Sequence, residues 1–178
     1  MHPREQFRLN QVISLAVWDT VHDLVGEEAS IKWPNDIYVG NRKICGLLIQ
    51  NSITSQKIQS AVVGIGLNVN QTKFSNKIPN ATSIKKEVGE EVDLKKVTDL
   101  LCAKIGQYYL QLRTRNFDLI NRAYLQRLYQ FEAEAFYQNK SDNSIFSGKI
   151  TGTTPFGKLK IQTQTGEQIF DLKEVKFL

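Results

Sequence analysis

A chain of 178 residues, 41% hydrophobic and 23% charged, is long enough for one domain with a real core plus a small appendage, and its balance is that of an ordinary globular protein. No apolar run approaches the roughly 18–20 residues that cross a bilayer, and the opening stretch carries His2, Arg4, Glu5 and Arg8 instead of the apolar centre of a signal peptide, so the chain reads as cytoplasmic. The net charge of +5 is dispersed, with basic clusters no longer than Lys85-Lys86 and Lys95-Lys96, which argues against a nucleic-acid partner and leaves a mildly basic surface for an anionic one.

Residues 9–26 place Val12, Ile13, Leu15, Ala16, Val17, Val21, Leu24 and Val25 at spacings of three and four, so an amphipathic helix is expected, ending near Gly26. Ile31-Lys32-Trp33 reads as a strand stopped by Pro34. Residues 37–39 and 43–50 read as a hairpin around Gly40-Asn41-Arg42, and 58–69 as a further strand after the turn Thr54-Ser55-Gln56. A compact antiparallel set over 31–70 follows. Residues 74–89 read as loop. Asp93 is placed to cap a helix running to about Arg113, and a second helix is expected over about 116–130. Beyond 131 the period falls to two, with short strands at 133–138, 144–151, 158–163, 167–171 and 174–177 between turn clusters. So many strands in so short a stretch predict a small barrel. The division is therefore 1–130 and 131–178.

Two cysteines, Cys45 and Cys102, and two histidines, His2 and His22, have no metal-ligand spacing. Buried reduced thiols are expected, not a disulfide or a zinc site.

Three segments carry candidate chemistry. In Lys32-Trp33-Pro34-Asn35-Asp36 an amide and a carboxylate follow a strand end. Asn35 and Asp36 offer oxygen ligands for magnesium, and Asp36 can take a proton from an amine. In Arg42-Lys43-Ile44-Cys45-Gly46-Leu47-Leu48-Ile49, Lys43 opens an apolar strand and can present its ammonium to a carboxylate or phosphate. Gly46 gives a ligand access to main chain. In Gly64-Ile65-Gly66-Leu67-Asn68-Val69-Asn70, two glycines share one strand face, and the Asn68 amide suits a heterocycle edge. Taken singly, each also fits a plain structural role: a capped turn, a solvated lysine beside a bulge, glycines that relieve crowding.

Taken together, K-W-P-N-D, then R-K-x-x-G-x-L, then G-I-G-x-N-V-N, followed by Ala81-Thr82-Ser83, resemble the catalytic domain of biotin protein ligases (biotin–[acetyl-CoA-carboxylase] ligases) over roughly 8–130. The C-terminal strands resemble the SH3-like domain that follows it in that family. The resemblance implies an α+β fold: a mixed or antiparallel sheet with packed helices, like the class II synthetases and here incomplete, then a small SH3-like β-barrel. It implies an enzyme that uses ATP and Mg2+ to activate biotin as biotinyl-5'-AMP and passes it to a lysine of a biotin carboxyl carrier domain of a carboxylase. Lys43 would touch the biotin carboxylate and the α-phosphate. Gly46, Leu48, Gly64 and Gly66 would line the biotin pocket, Asn68 would bind adenine, and Asn35 and Asp36 would serve magnesium. Asp36 would also assist the incoming amine.

One departure is plain. The family's G-R-G-R-x-G loop, which covers biotin and the phosphates, is not in this sequence, and the strand before the first helix survives at most as a remnant near Phe7. The chain is therefore expected to be a shortened piece that is weakly active or inactive alone, with an uncovered edge strand that leaves room for a homodimer. No winged-helix segment supports a regulatory role. The alternatives are a lipoate or octanoate acyltransferase, and a non-catalytic binding or dimerisation module.

Overall fold

The computed structural model describes residues 2–54, 57–76 and 78–178. Ser55 and Gln56 of the expected turn therefore lie outside the described residues. A short 3-10 turn leads into helix α1, Gln6–Val25. Most of its faces are covered: Val12, Leu15, Ala16, Val17 and Val21 have no exposed surface. It is the central post of the molecule, with the first sheet on one side and helices α3, Leu94–Arg113, and α4, Phe117–Gln126, on the other. Its polar side chains are matched where they are buried. Gln11 receives a hydrogen bond from Arg8 (3.0 Å) and donates one to Asn121 (2.9 Å), as burial of an amide requires. Phe7 belongs to this helix and packs edge-on against Tyr124 at 5.7 Å. The strand remnant expected there is absent: Phe7 lies inside α1, one turn before the buried Gln11, and continues that buried stripe.

Strands β1 (Ala29–Lys32), β2 (Asp36–Val39), β3 (Arg42–Thr54) and β4 (Lys57–Leu67) form an antiparallel sheet in chain order. One face, with Ile31, Ile37, Val39 and Leu47, is buried in the core. The opposite face carries cross-strand rows: Lys32 opposite Asp36, Asp36 opposite Gly46, Gly46 opposite Gly66, and Leu48 opposite Gly64. β4 is the outer strand of this sheet among the described residues.

The stretch expected as loop contains a short helix, α2, Ile84–Val88. Ser83 caps it, its hydroxyl accepting from Lys86 N at 3.2 Å. Five residues are too few to show a helical period in sequence. Asp93 caps α3 as expected, accepting from Lys95 N and Lys96 N.

The C-terminal strands are β5 (Glu134–Asn139), β6 (Ile145–Thr153), β7 (Leu159–Thr163), β8 (Gly166–Phe170) and β9 (Val175–Phe177). They pair antiparallel in the order β8-β7-β6-β5-β9. This is an SH3-like sheet left open: β8 and β9 lie at its ends and do not close the expected barrel. Its core residues Tyr137, Ile150, Leu159 and Ile161 are continuous with the core around α1. Cys45 is buried, as expected of a reduced thiol, but Cys102 is exposed on α3.

Candidate functional site

The turn between β1 and β2 is held from three directions. Asn10 on α1 donates to the Pro34 carbonyl (2.9 Å), and the buried Tyr124 hydroxyl on α4 donates to the same oxygen (3.1 Å). The Trp33 indole N–H donates across to Gly157 O in the loop between β6 and β7 (2.8 Å). The Asn35 amide donates to Leu47 O at 2.6 Å, which ties the turn to β3. Asp36 therefore starts β2 from a fixed point.

Lys43 reaches Asp36 through a fault in the sheet. Residues 43, 45 and 47 alternate onto one face in a regular strand, and Cys45 and Leu47 are buried. The register slips between Ile37 and Tyr38, so Ile37 faces Cys45 while Tyr38 faces Lys43. Ile44 is the extra residue, and it is buried as fully as Cys45. A bulge of this kind re-aims a side chain. Here it brings Lys43 to the face that holds Asp36, and the Lys43 ammonium stands 2.6 Å from Asp36 Oδ1 with both groups partly open to solvent.

Beside this ion pair lies a cleft of about 370 Å³, lined by Lys43, Gly46, Gly66, Asn68, Tyr38 and the segment Ile78–Ala81 among others. Its outer wall is a parallel contact of 80–82 with the start of β3: Lys43 N donates to Asn80 O (2.7 Å) and Thr82 N to Lys43 O (2.9 Å). Thr82 and Ser83 are fully buried. They fix this wall, Thr82 by a hydroxyl contact with Glu87 and Ser83 by bonding Gln71 O at 2.6 Å. The Asn68 amide donates to Thr82 O (3.0 Å), which leaves its second N–H and its oxygen for a ligand edge.

The fold thus brings together Lys43, Asp36, Gly46, Gly66 and Asn68. Gly64 and Leu48 lie further along the same face, outside the cleft, with Leu48 61% exposed. Tyr38 and residues 78–80 were not singled out in sequence, whereas Ala81, at the end of that wall, was part of the family pattern. Tyr38 was within reach of simple alternation, since it lies two residues from Asp36. Burial, and then the Asp36 charge, raise the Tyr38 hydroxyl above the usual phenol range, so it stays a neutral wall at physiological pH. Burial pushes the Cys45 thiol up to about 12, so Cys45 is no nucleophile here. A larger groove of about 900 Å³ runs between the start of α1, β4, α3 and α4. It contains none of the motif residues, and its Arg115 is ion-paired to Glu5 at 2.8 Å, so the chemistry belongs to the smaller cleft.

As to magnesium, Asp36 supplies one carboxylate, and its pairing with Lys43 occupies it. Among the described residues no cluster of three His, Cys, Asp or Glu side chains is suited to a metal ion. The residues do not fit a resident metal. No helix is long and apolar enough to cross a membrane.

Residues 1–68 match the profile of the Biotin/lipoate A/B protein ligase family. The chain is 30% identical over 176 residues to the biotin–[acetyl-CoA-carboxylase] ligase of Paracoccus denitrificans, covering 96% of this chain and 72% of that protein. It belongs to the biotin protein ligase family. This ligase-family chain is also 28% identical over 162 residues to the bifunctional ligase/repressor BirA of Bacillus subtilis, and there it spans 49% of the relative's length. The fold matches the biotin protein ligase from Aquifex aeolicus in complex with biotin and ATP, with a TM-score of 0.77, 23% identity, and coverage of 100% of this chain and 76% of that one. As a member of the ligase family the protein is an enzyme, and Lys43, Asp36, Gly46, Gly66 and Asn68 sit in the part of the chain that the family defines.

Proposed function

We propose that this chain carries the catalytic portion of an ATP-dependent biotin ligase over residues 1–130, followed by a C-terminal SH3-like domain over 131–178. The observation that supports it most is the bulge that sets the Lys43 ammonium beside Asp36, over main chain laid bare at Gly46 and Gly66. An ammonium aimed over exposed main chain suits a flat ligand with a carboxylate or phosphate.

In the first step a biotin carboxylate oxygen attacks the α-phosphorus of ATP. The bond to the bridging oxygen breaks and pyrophosphate leaves. Lys43 meets the carboxylate and the α-phosphate, where negative charge gathers as the bonds exchange. Asn68 offers donor and acceptor to the adenine edge. Gly46 and Gly66 floor the pocket, with Gly64 and Leu48 extending it along the sheet. In the second step a lysine nitrogen of a carboxyl carrier domain attacks the carbonyl carbon of the mixed anhydride. The C–O bond to AMP breaks, and Asp36 accepts the proton released by the amine. Magnesium would come with the ATP phosphates as their counter-ion, since hard cations favour oxygen ligands, and not as an ion held by this chain. Among the described residues β4 is the outer strand of its sheet, and its edge is the place we assign to a second copy in a homodimer.

Biotin and ATP together are expected to raise the melting temperature, since a ligand that binds only the folded state stabilises it. Lipoate, the substrate of the sister branch of the matched family, is expected to leave it unchanged. In a full-length parent, Lys43→Ala should lower biotin-dependent pyrophosphate release about a hundredfold or more. A shift with lipoate and none with biotin would assign the cleft to the other branch, and unchanged turnover in the Lys43 variant would remove that residue from the reaction.

A further inference from the structure

Lys32 has no role in the steps above, yet its surroundings are unusual. It leaves β1 directly opposite Asp36, but Asp36 pairs with Lys43, and among the described residues Lys32 joins no ion pair. Three aromatic rings surround its ammonium instead: Tyr38 with its centroid at 4.6 Å, Phe177 at 5.0 Å and Tyr129 at 5.6 Å. Each ring is anchored separately. Tyr38 is on β2. Tyr129 follows α4, its N–H donating to Ile31 O (2.8 Å) and its hydroxyl to Asn41 (2.7 Å). Phe177 is on β9, in register with Tyr137 of β5.

Ring faces attract a cation, but enclosing an ammonium without a carboxylate carries a desolvation penalty. Burial accordingly lowers the Lys32 pKa. A methionine would pack against the same rings without that penalty, so packing alone does not call for a charge here. One of the three rings, Tyr38, is also a wall of the cleft and stands opposite Lys43 across β2 and β3.

We propose that Lys32 is a positioning residue: clasped between Tyr38 and Phe177, it holds the Tyr38 wall of the cleft opposite Lys43 and couples that wall to the last strand of the C-terminal sheet. This rests on the reading of the cleft as an ATP site.

Lys32→Met, Lys32→Arg and Phe177→Leu test it. Loss of the clasp is expected to weaken ATP binding about fivefold to thirtyfold, the equivalent of one to two kcal/mol of cation–π attraction. Lys32→Met and Phe177→Leu should raise the KM for ATP and leave kcat and biotin affinity unchanged. Lys32→Arg, which keeps the charge and the ring contacts, should restore most of the loss. Equal ATP affinity in wild type and Lys32→Met, or no rescue by arginine, overturns the coupling. A second measurement needs no nucleotide: acetylation of lysines by an N-hydroxysuccinimide ester, read peptide by peptide. Lys32 should react far more slowly than the exposed Lys149, and Phe177→Leu should release it. Labelling of Lys32 at the Lys149 rate in the wild type overturns the clasp itself. A protected Lys32 in a wild-type protein that binds no ATP overturns the nucleotide role and, separately, the reading of the cleft.

Discussion

A methyl group on Gly46 would stand 3.2 Å from the Lys43 ammonium and 3.5 Å from Asp36 Oδ1, whereas one on Gly64 would meet nothing closer than Leu48 O at 3.6 Å. The two glycines look alike in sequence and differ in space. Gly46→Ala is expected to cut turnover about tenfold or more by pushing the lysine aside, since small misplacements of a reacting group are costly. Gly64→Ala should be nearly silent, and steady-state assays of the pair would separate them. The crowding at Gly46 comes from a side chain folded back across the strand, and no spacing rule reports that. Cys45 gives a second expectation. Its folded-state thiol ionises near pH 12, while an unfolded thiol ionises near 8.5. Between those values the unfolded chain binds fewer protons than the native one, so stability falls as pH rises above about 8.5, by up to about 1.4 kcal/mol per pH unit from this group. Urea melts at pH 8 and pH 10 should show the loss, and Cys45→Ser should flatten that part of the profile.

At the scale of elements, periodicity and end signals located α1, α3 and every strand, because each of these is long or flanked by turn residues. The Asp93 cap on α3 was legible for the same reason. Its replacement by alanine should cost about 1 kcal/mol, readable in a urea midpoint, because two N–H groups, of Lys95 and Lys96, lose their acceptor. Helix α2 was not legible, and neither was the β-bulge. A strict alternation sends Lys43 inward with Cys45 and Leu47, and only the slipped register between Ile37 and Tyr38 brings it out. The resemblance of motifs assigned Lys43 to the site without giving the mechanical reason. That reason is one additional buried isoleucine, Ile44.

At the scale of the whole molecule, the two sheets meet through residues far apart in the chain, and such contacts have no local signature. Gly157, in the loop between β6 and β7, has φ of +89° and lies against the Phe7 ring. A side chain there would both strain the backbone and overlap the ring. Gly157→Ala should therefore destabilise the protein by about 2 kcal/mol or more, and calorimetry is the direct check. The open C-terminal sheet has a related origin. β9 is only three residues long and pairs with β5, so no strand bridges β8 and β9 to seal the ring.

Strand β4 runs eleven residues along the rim of its sheet, with Val62 67% exposed. Its outward backbone amides and carbonyls form a ready rail for any extended polypeptide that comes alongside. In a concentrated preparation that rail is where molecules would first zip together into insoluble material. Salt, which screens the net positive charge that keeps copies apart, would hasten it.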